Sequence, residues 1–195
     1  MWMYSNTPPT PSLEGILRCT PRPYINHNSK IKNMRGLRNN HPLHIRHSAD
    51  RWEGARKEQT DKAFVQFESM AYGYRAAWKT LQSYYNRFCR QGQAFTVRNI
   101  IHRWAPPNEN DTEAYIRTVL TLSGIGAKEN LLPPQEVMSY HRLSKLLAAM
   151  TVMENGIRPH QVDTEAIYQG YKLAFPQHAK ELDEGMLGAD EYGEW

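Results

Sequence analysis

The chain contains little cysteine and no long apolar run. These two absences disfavour disulfide-rich, zinc-binding and membrane-spanning proteins. Cys19 and Cys89 are the only cysteines, which is too few for a disulfide framework or a zinc knuckle. No apolar stretch approaches the roughly 20 residues that a membrane-spanning helix needs, so we expect no membrane span. The first residues also lack the charged and apolar regions of a secretory signal. We therefore expect synthesis in the reducing cytoplasm without export by the usual route.

Several motifs that identify enzymes are missing as well. The sequence has no G-x-S-x-G, Walker loop, H-E-x-x-H or dinucleotide fingerprint, which disfavours serine hydrolases, nucleotide-binding enzymes and zincins. His41, His44 and His47 come nearest to a metal pattern. Pro42 breaks any helix through them, and in a strand a three-residue step places neighbours on opposite faces. Because no cysteine or carboxylate stands nearby at ligand spacing, we predict no metal site and no cofactor.

What is present is the composition of one soluble domain with an uneven charge. The 195 residues suit one core and are too few for two ordinary domains. The net charge of +4 conceals a basic first third and an acidic tail. A basic front favours a polyanionic partner such as nucleic acid or a cell-wall polymer, although solubilising charge explains the same pattern. The residues available for nucleic-acid binding are Arg35, Arg38, Arg46, Arg51 and Arg56.

Proline content and hydrophobic periodicity divide the chain into three parts. Residues 1–33 hold five prolines among serine, threonine and asparagine, which predicts a disordered or loosely attached N-terminal extension. Residues 34–175 form the predicted domain, and residues 176–195 form an acidic C-terminal tail whose end frays. The sequence shows no internal repeat and no alternation of strands with helices.

Two periodicities coexist within the predicted domain. HPLHIRH and AFVQFES alternate roughly every second residue, which predicts short strands of a small β-lobe. Apolar steps of three and four residues predict helices over about 69–90, 97–104, 110–123, 135–155 or 139–155, and 163–174. Thr96 is the predicted cap of the second helix, and Asn110 with Glu113 has capping-box spacing at the start of the third. Together these elements predict an α+β fold, with a small β-lobe on a helical bundle.

Acidic residues near aromatic residues supply the candidate chemistry. Carboxylates can protonate or attack a glycosidic bond, and flat aromatic faces stack on sugar rings. The predicted catalytic residues are Glu109, Glu68 and Glu53. The predicted substrate-binding residues are Trp52, Trp104, Tyr115, Asn39, Asn40 and Arg46. Core packing is the alternative for the tryptophans, and bracing of a turn is the alternative for the asparagines.

The blocks GLRNNHPLHIR, RWEG and RWAPPNENDTEAYI resemble a group of phage and prophage proteins that are usually labelled structural or virion proteins. The group's signature reads G-[IL]-R-N-N-x-P-x-x-I-R and then W-A-P-P-x-E-N-x-T, and the similarity spans about residues 35–175. His41 and His44 stand where the group usually has asparagine. The resemblance implies a phage-derived protein with virion proteins as partners, and it implies no particular activity.

The order N-N-x-x-x-I-R, W-x-G and D-T-x-x-Y is also similar, more distantly, to glucosaminidases and lysozyme-like peptidoglycan hydrolases. That similarity implies a mainly helical, lysozyme-like domain with a small β-lobe that acts on peptidoglycan or another cell-wall glycan. The sequence departs from this pattern where those enzymes carry their acid, because Glu14 is the only carboxylate before Asn39.

Three functions stay open at this point. The first is a phage-type peptidoglycan hydrolase or lytic factor with glycosidase or lytic transglycosylase activity. The second is a non-enzymatic virion or assembly protein that binds cell wall or capsid. The third is nucleic-acid binding through the basic front. For the first two, the expected place of action is the virion or the cell envelope after release.

Overall fold

Helices dominate residues 34–187, the part of the chain that the computed structural model describes. The predicted extension over 1–33, which includes Glu14 and Cys19, and the last residues of the predicted tail, 188–195, lie outside the described residues. The helices are α1 (Arg35–Arg38), α2 (Met70–Arg90), α3 (Val97–Trp104), α4 (Thr112–Ser123), α5 (Val137–Asn155), α6 (Thr164–Ala174) and α7 (Ala179–Leu187). Short 3-10 turns at Pro159–Gln161 and Pro176–His178 precede α6 and α7.

Hydrogen-bonding side chains begin α2 and α3 where the sequence indicates. Ser69 accepts from the backbone N–H of Tyr72 at the start of α2, and Thr96 accepts from that of Asn99 at the start of α3. At α4 the predicted capping box is wrong. Asp111 is the N-cap, and its carboxylate accepts from the backbone N–H of Ala114 at 3.0 Å. The neighbouring Asn110 instead donates to the carbonyl oxygen of Pro106.

Glycines end two of the helices. Gly124 closes α4 and Gly156 closes α5, with φ angles of 64° and 59°. This left-handed conformation suits glycine because it has no Cβ. The five helices predicted from periodicity are confirmed to within two residues at each end.

The core forms where α2 packs against α6 and where α5 packs against α4 and α6. Trp78 of α2 is completely buried, and its indole Nε1 donates to the carbonyl oxygen of Ile167 on α6 at 3.1 Å. Aromatic residues surround it, with Tyr140 stacked on the indole and Tyr171 and Phe175 in edge contact. The helices therefore form a single hydrophobic core.

The predicted β-lobe, and with it the α+β class, is wrong. Within residues 39–68, here called the lobe, the structure contains no strand, only isolated antiparallel bridges that pair Arg46 with Phe64 and Ala55 with Phe67. The described chain is a helical bundle with an irregular lobe. The lysozyme-like fold implied by similarity required a sheet in this lobe and is wrong as well.

Two local features explain why alternation did not produce strands. Asn40 and His44 both adopt a φ of 53°, a left-handed conformation that interrupts an extended chain. Side chains also take hydrogen bonds that a neighbouring strand would otherwise make. Gln59 donates to the carbonyl oxygens of Arg56 and Gln66 and accepts from the backbone N–H of Gln66. The alternation instead reflects the inward positions of Leu43 and Ile45.

The lobe has a small hydrophobic cluster of its own against α2. Val65 and Phe67 are buried there with Ala76, and Ile45 and Trp52 pack on them partly buried. No helix in the described part of the chain has the length and apolar character needed to cross a membrane.

Candidate functional site

A partly buried polar network centred on Asp61 holds the lobe together. Arg35 of α1 donates to both carboxylate oxygens of Asp61, from Nε at 2.7 Å and from Nη2 at 2.6 Å. Asn39 Nδ2 donates to Asp61 Oδ2 at 2.8 Å, while Asn39 Oδ1 accepts from Gln66 Nε2 at 3.1 Å. The hydrogen bonds from Arg35 hold the pKa of Asp61 well below its usual range. The network joins α1 to both halves of the lobe.

The side chain of Asn40 is also used within the lobe. Its Nδ2 donates to the carbonyl oxygens of Phe67 and Glu68 at 3.0 and 3.1 Å. Asn39 and Asn40 thus both brace the lobe, which is the alternative that the sequence left open for them. Their predicted role in substrate binding stays a prediction.

The three predicted catalytic glutamates have different surroundings, and no hydrogen bond joins any two of them. Glu53 forms an ion pair with Arg75 of α2. Glu109 lies 3.3 Å from Nη2 of Arg46 in an exposed ion pair. Glu68 is exposed. The structure therefore brings Arg46 and Glu109 together among the predicted site residues.

The predicted aromatic platforms lie in two separate hydrophobic clusters. Trp52 packs partly buried in the small cluster of the lobe. Trp104 packs partly buried against the main core, in edge contact with Tyr84. Tyr115 is 5% exposed, which leaves little of its ring for stacking on a sugar. All three aromatic residues contribute to cores, the alternative raised for the tryptophans.

Glu154 is a residue that the sequence reasoning missed. The hydroxyl of Tyr115 on α4 donates to Glu154 Oε1 at 2.8 Å, and His44 Nδ1 of the lobe lies 3.2 Å from Glu154 Oε2. Burial, followed by the nearby Glu154 carboxylate, raises the pKa of Tyr115 well above its usual value. Glu154 thus links α4, α5 and the lobe through one half-buried carboxylate.

A signal for Glu154 exists in the sequence. It is the only charged residue between Lys145 and Arg158 and lies in the last turn of α5. A negative charge is disfavoured at that end of a helix because the helix dipole is negative there. An acid in this position indicates that donors from elsewhere in the fold compensate for it, as Tyr115 does.

The three histidines of the lobe face three different surroundings. His41 is buried with neither ring nitrogen hydrogen-bonded to any described residue. His44 lies beside Glu154, and His47 Nε2 is 2.8 Å from the carbonyl oxygen of Asp61. Among the residues that the structure describes, no three metal-ligating side chains gather in one place.

The arginines of the basic front are partly neutralised. Arg35 pairs with Asp61 and Arg46 with Glu109, and both guanidinium groups lie over the ring of Phe64. Arg56 donates from Nε to the carbonyl oxygen of Phe67. The positive potential available to a polyanion is therefore smaller than the count of arginines in the sequence indicates.

The sequence was compared with known proteins and with models of protein families. No protein-family model matches the sequence. Protein P5 of Pseudoalteromonas phage PM2 is 34% identical over 144 residues, and the match covers 72% of this chain and 82% of Protein P5. The phage origin indicated by the sequence is confirmed at this level, whereas an activity on peptidoglycan stays a prediction. The chain belongs to the family of phage proteins that includes Protein P5 of Pseudoalteromonas phage PM2.

Proposed function

We propose that the protein is a non-enzymatic structural component of a phage particle. Its membership in the family of a phage protein carries the proposal. The surroundings of the predicted catalytic residues support it, because Glu53 and Glu109 are each ion-paired with an arginine. Most glycosidases use two carboxyl groups that flank one glycosidic bond. In this proposal the two carboxylates link the lobe to α2 and to the loop before α4.

The test of the structural role is retention in purified particles. Particles of the phage or prophage that encodes the chain are purified on a density gradient, and the protein is quantified by mass spectrometry against the major capsid protein. We expect a fixed ratio across the particle peak that persists after a high-salt wash. Recovery of the protein only in the soluble part of the lysate would overturn the proposal.

The competing enzymatic function is tested with the purified full-length protein on a peptidoglycan zymogram, with a known lysozyme as the positive control. We expect no clearing by the wild-type protein. Clearing that is lost in Glu109→Gln or Glu68→Gln, and retained in the exposed control variant Glu58→Gln, would establish a hydrolase. Cosedimentation with peptidoglycan, without release of reducing sugar, would add the cell wall to the partners of a structural protein.

A further inference from the structure

A cavity of about 230 Å³ lies apart from the lobe network, between α1, the start of α2 and the end of α5. Four of its lining residues are apolar and come from three regions of the chain, so the walls are mostly hydrocarbon: Leu37, Met70, Ile157 and Val162. The polar lining residues are Tyr74, Thr151, Gln161 and Asp163. Cavities that combine apolar walls with a few placed polar groups are suited to small ligands.

The buried end of the cavity presents a hydrogen-bond acceptor. Thr151 Oγ1 donates to the carbonyl oxygen of Leu147 at 2.9 Å, which uses its only hydroxyl proton. Tyr74, 3.0 Å away, must therefore donate to Thr151 Oγ1. Because burial raises the pKa of Tyr74, this phenol keeps its proton. The remaining lone pair of the Tyr74 oxygen is free to accept from a ligand.

The solvent-exposed part of the cavity presents a carboxylate. Asp163 caps α6, and its Oδ1 accepts from the backbone N–H of Ala166 at 2.8 Å. No lysine, arginine or histidine of the described residues forms an ion pair with it. Asp163 is close enough to act electrostatically on Tyr74, whose pKa it raises further. An acidic residue and a phenol that can accept a hydrogen bond therefore both line a largely apolar space.

We propose that this cavity binds an organic ammonium ion on a short aliphatic stem. The ammonium group would donate to Asp163 and Tyr74, and the stem would pack on the apolar walls. An ammonium group has three donors and no acceptor, which matches a site that offers acceptors. The same chemistry is found in a free alkylamine and in the lysine side chain of a partner protein. The proposal stands independently of the structural role in the particle.

The experiment is an NMR titration of the ¹⁵N-labelled full-length protein with three five-carbon probes: pentylammonium, 1-pentanol and pentanoate. We expect saturable shifts of the Thr151 and Ala166 amides with pentylammonium, and an affinity about tenfold higher than for 1-pentanol, the value of one charge-assisted hydrogen bond. Pentanoate should produce no saturable shift because Asp163 repels it. Equal binding of all three probes, or no saturable binding of pentylammonium, would overturn the proposal.

A pair of matched variants tests the carboxylate. Asp163→Asn keeps an effective helix cap, so the fold is retained while the charge is removed. We expect about tenfold weaker binding of pentylammonium and unchanged binding of 1-pentanol. Asp111→Asn makes the same change at the cap of α4, within the same Asp-Thr-Glu-Ala sequence, and should leave both affinities unchanged. Equal losses in the two variants would refute the proposal.

A last probe distinguishes the two sources of the ligand. Nα-acetyl-lysine methylamide carries the same ammonium stem on a peptide backbone. Tighter binding than pentylammonium would support the proposal with a partner's lysine side chain as the ligand. Weaker but saturable binding would support it with a free alkylamine as the ligand.

Discussion

His41 is a buried titratable residue, and neither of its ring nitrogens has a hydrogen-bond partner in the described region. Burial, followed by the proximity of His44, lowers the pKa of His41 to about 3, whereas an unfolded histidine titrates near 6.5. The unfolded chain therefore binds more protons than the folded chain between these values. The stability from neutral His41 is complete above about pH 6.5 and is lost as the pH falls towards 3.

We expect the free energy of unfolding to fall by about 2 kcal/mol between pH 7.5 and pH 5 on account of His41. Urea unfolding followed at several pH values measures this change. His41→Phe keeps a ring against Phe67 and loses no hydrogen bond. The free energy of unfolding of this variant should therefore fall by about 2 kcal/mol less than that of the wild type over the same pH range. The exposed control His160→Gln should keep the wild-type slope. A His41→Phe variant with the wild-type slope would contradict the prediction.

Gln66 is a second residue on which the lobe depends. Its Oε1 accepts from the backbone N–H groups of Thr60 and Asp61 and from the Thr60 hydroxyl, and its Nε2 donates to Asn39. Gln66→Leu removes the shared partner of all these groups at a buried position, so we expect the free energy of unfolding to fall by about 3 kcal/mol. The exposed control Gln93→Leu should change it by less than about 0.5 kcal/mol. Chemical denaturation of the two variants makes the comparison.

At the scale of the element, the contact between α2 and α6 depends on the absence of a side chain at Gly170. A Cβ there would lie 2.7 Å from the Cβ of Tyr74 and 3.0 Å from the carbonyl oxygen of Ala71. Gly185 of α7 is also helical, but a Cβ at that position would meet no atom within 4 Å. Alanine substitutions at the two glycines therefore distinguish the effect of helix propensity from the effect of packing.

We expect Gly170→Ala to lower the free energy of unfolding by about 2 kcal/mol, because overpacking outweighs the propensity gained. Gly185→Ala should raise it by up to about 1 kcal/mol, because only propensity changes. Thermal and urea unfolding of the two variants measure both effects. A Gly170→Ala protein that is as stable as wild type would show that the helices move apart at little cost.

The elements differ in how far the sequence predicts them. The helices were predictable because the signals that define them are close together in sequence. Ser69 and Thr96 cap the helices that follow them directly, and Gly156 ends the helix that it follows. The apolar stripe of each helix also lies within one continuous segment. The lobe was not predictable, because its shape depends on hydrogen bonds between residues more than twenty positions apart, such as Asn39 with Asp61. A two-residue alternation cannot distinguish a strand from an irregular chain that buries every second side chain.

For the whole molecule, the lobe and the bundle meet where Gly73 of α2 packs against the backbone of Asn40. A Cβ at Gly73 would overlap the Asn40 carbonyl oxygen, a backbone atom that cannot rotate away. We expect Gly73→Ala to open the lobe locally while the bundle persists. The amides of His41 and Phe67, which donate to Gly36 and Asn39, should exchange about tenfold faster or more, as overpacking of 1–3 kcal/mol implies.

Hydrogen exchange followed by NMR tests this prediction residue by residue. Amides in the middle of α5 serve as internal controls and should keep their wild-type exchange rates. Uniformly faster exchange in lobe and bundle would contradict it, because it would mean that the two parts unfold as one unit.

The candidate site is predictable from the sequence only in part. Arg46 and Glu109 were both predicted, and the structure places them in contact. Glu154 was not predicted, because its partners Tyr115 and His44 are 39 and 110 residues away in sequence. Trp52 and Trp104 were both predicted to bind substrate, but the fold distributes them between two hydrophobic clusters.

The lobe is held together by side-chain hydrogen bonds and not by strands, and this affects how copies of the protein can contact one another. An open strand edge is a template on which other chains pair, and it promotes aggregation. Across the part of the chain that the structure describes, the lobe exposes isolated bridges and no strand edge. If copies come together in the particle that we propose, contacts through this lobe would then form between side chains and not by pairing of strand edges.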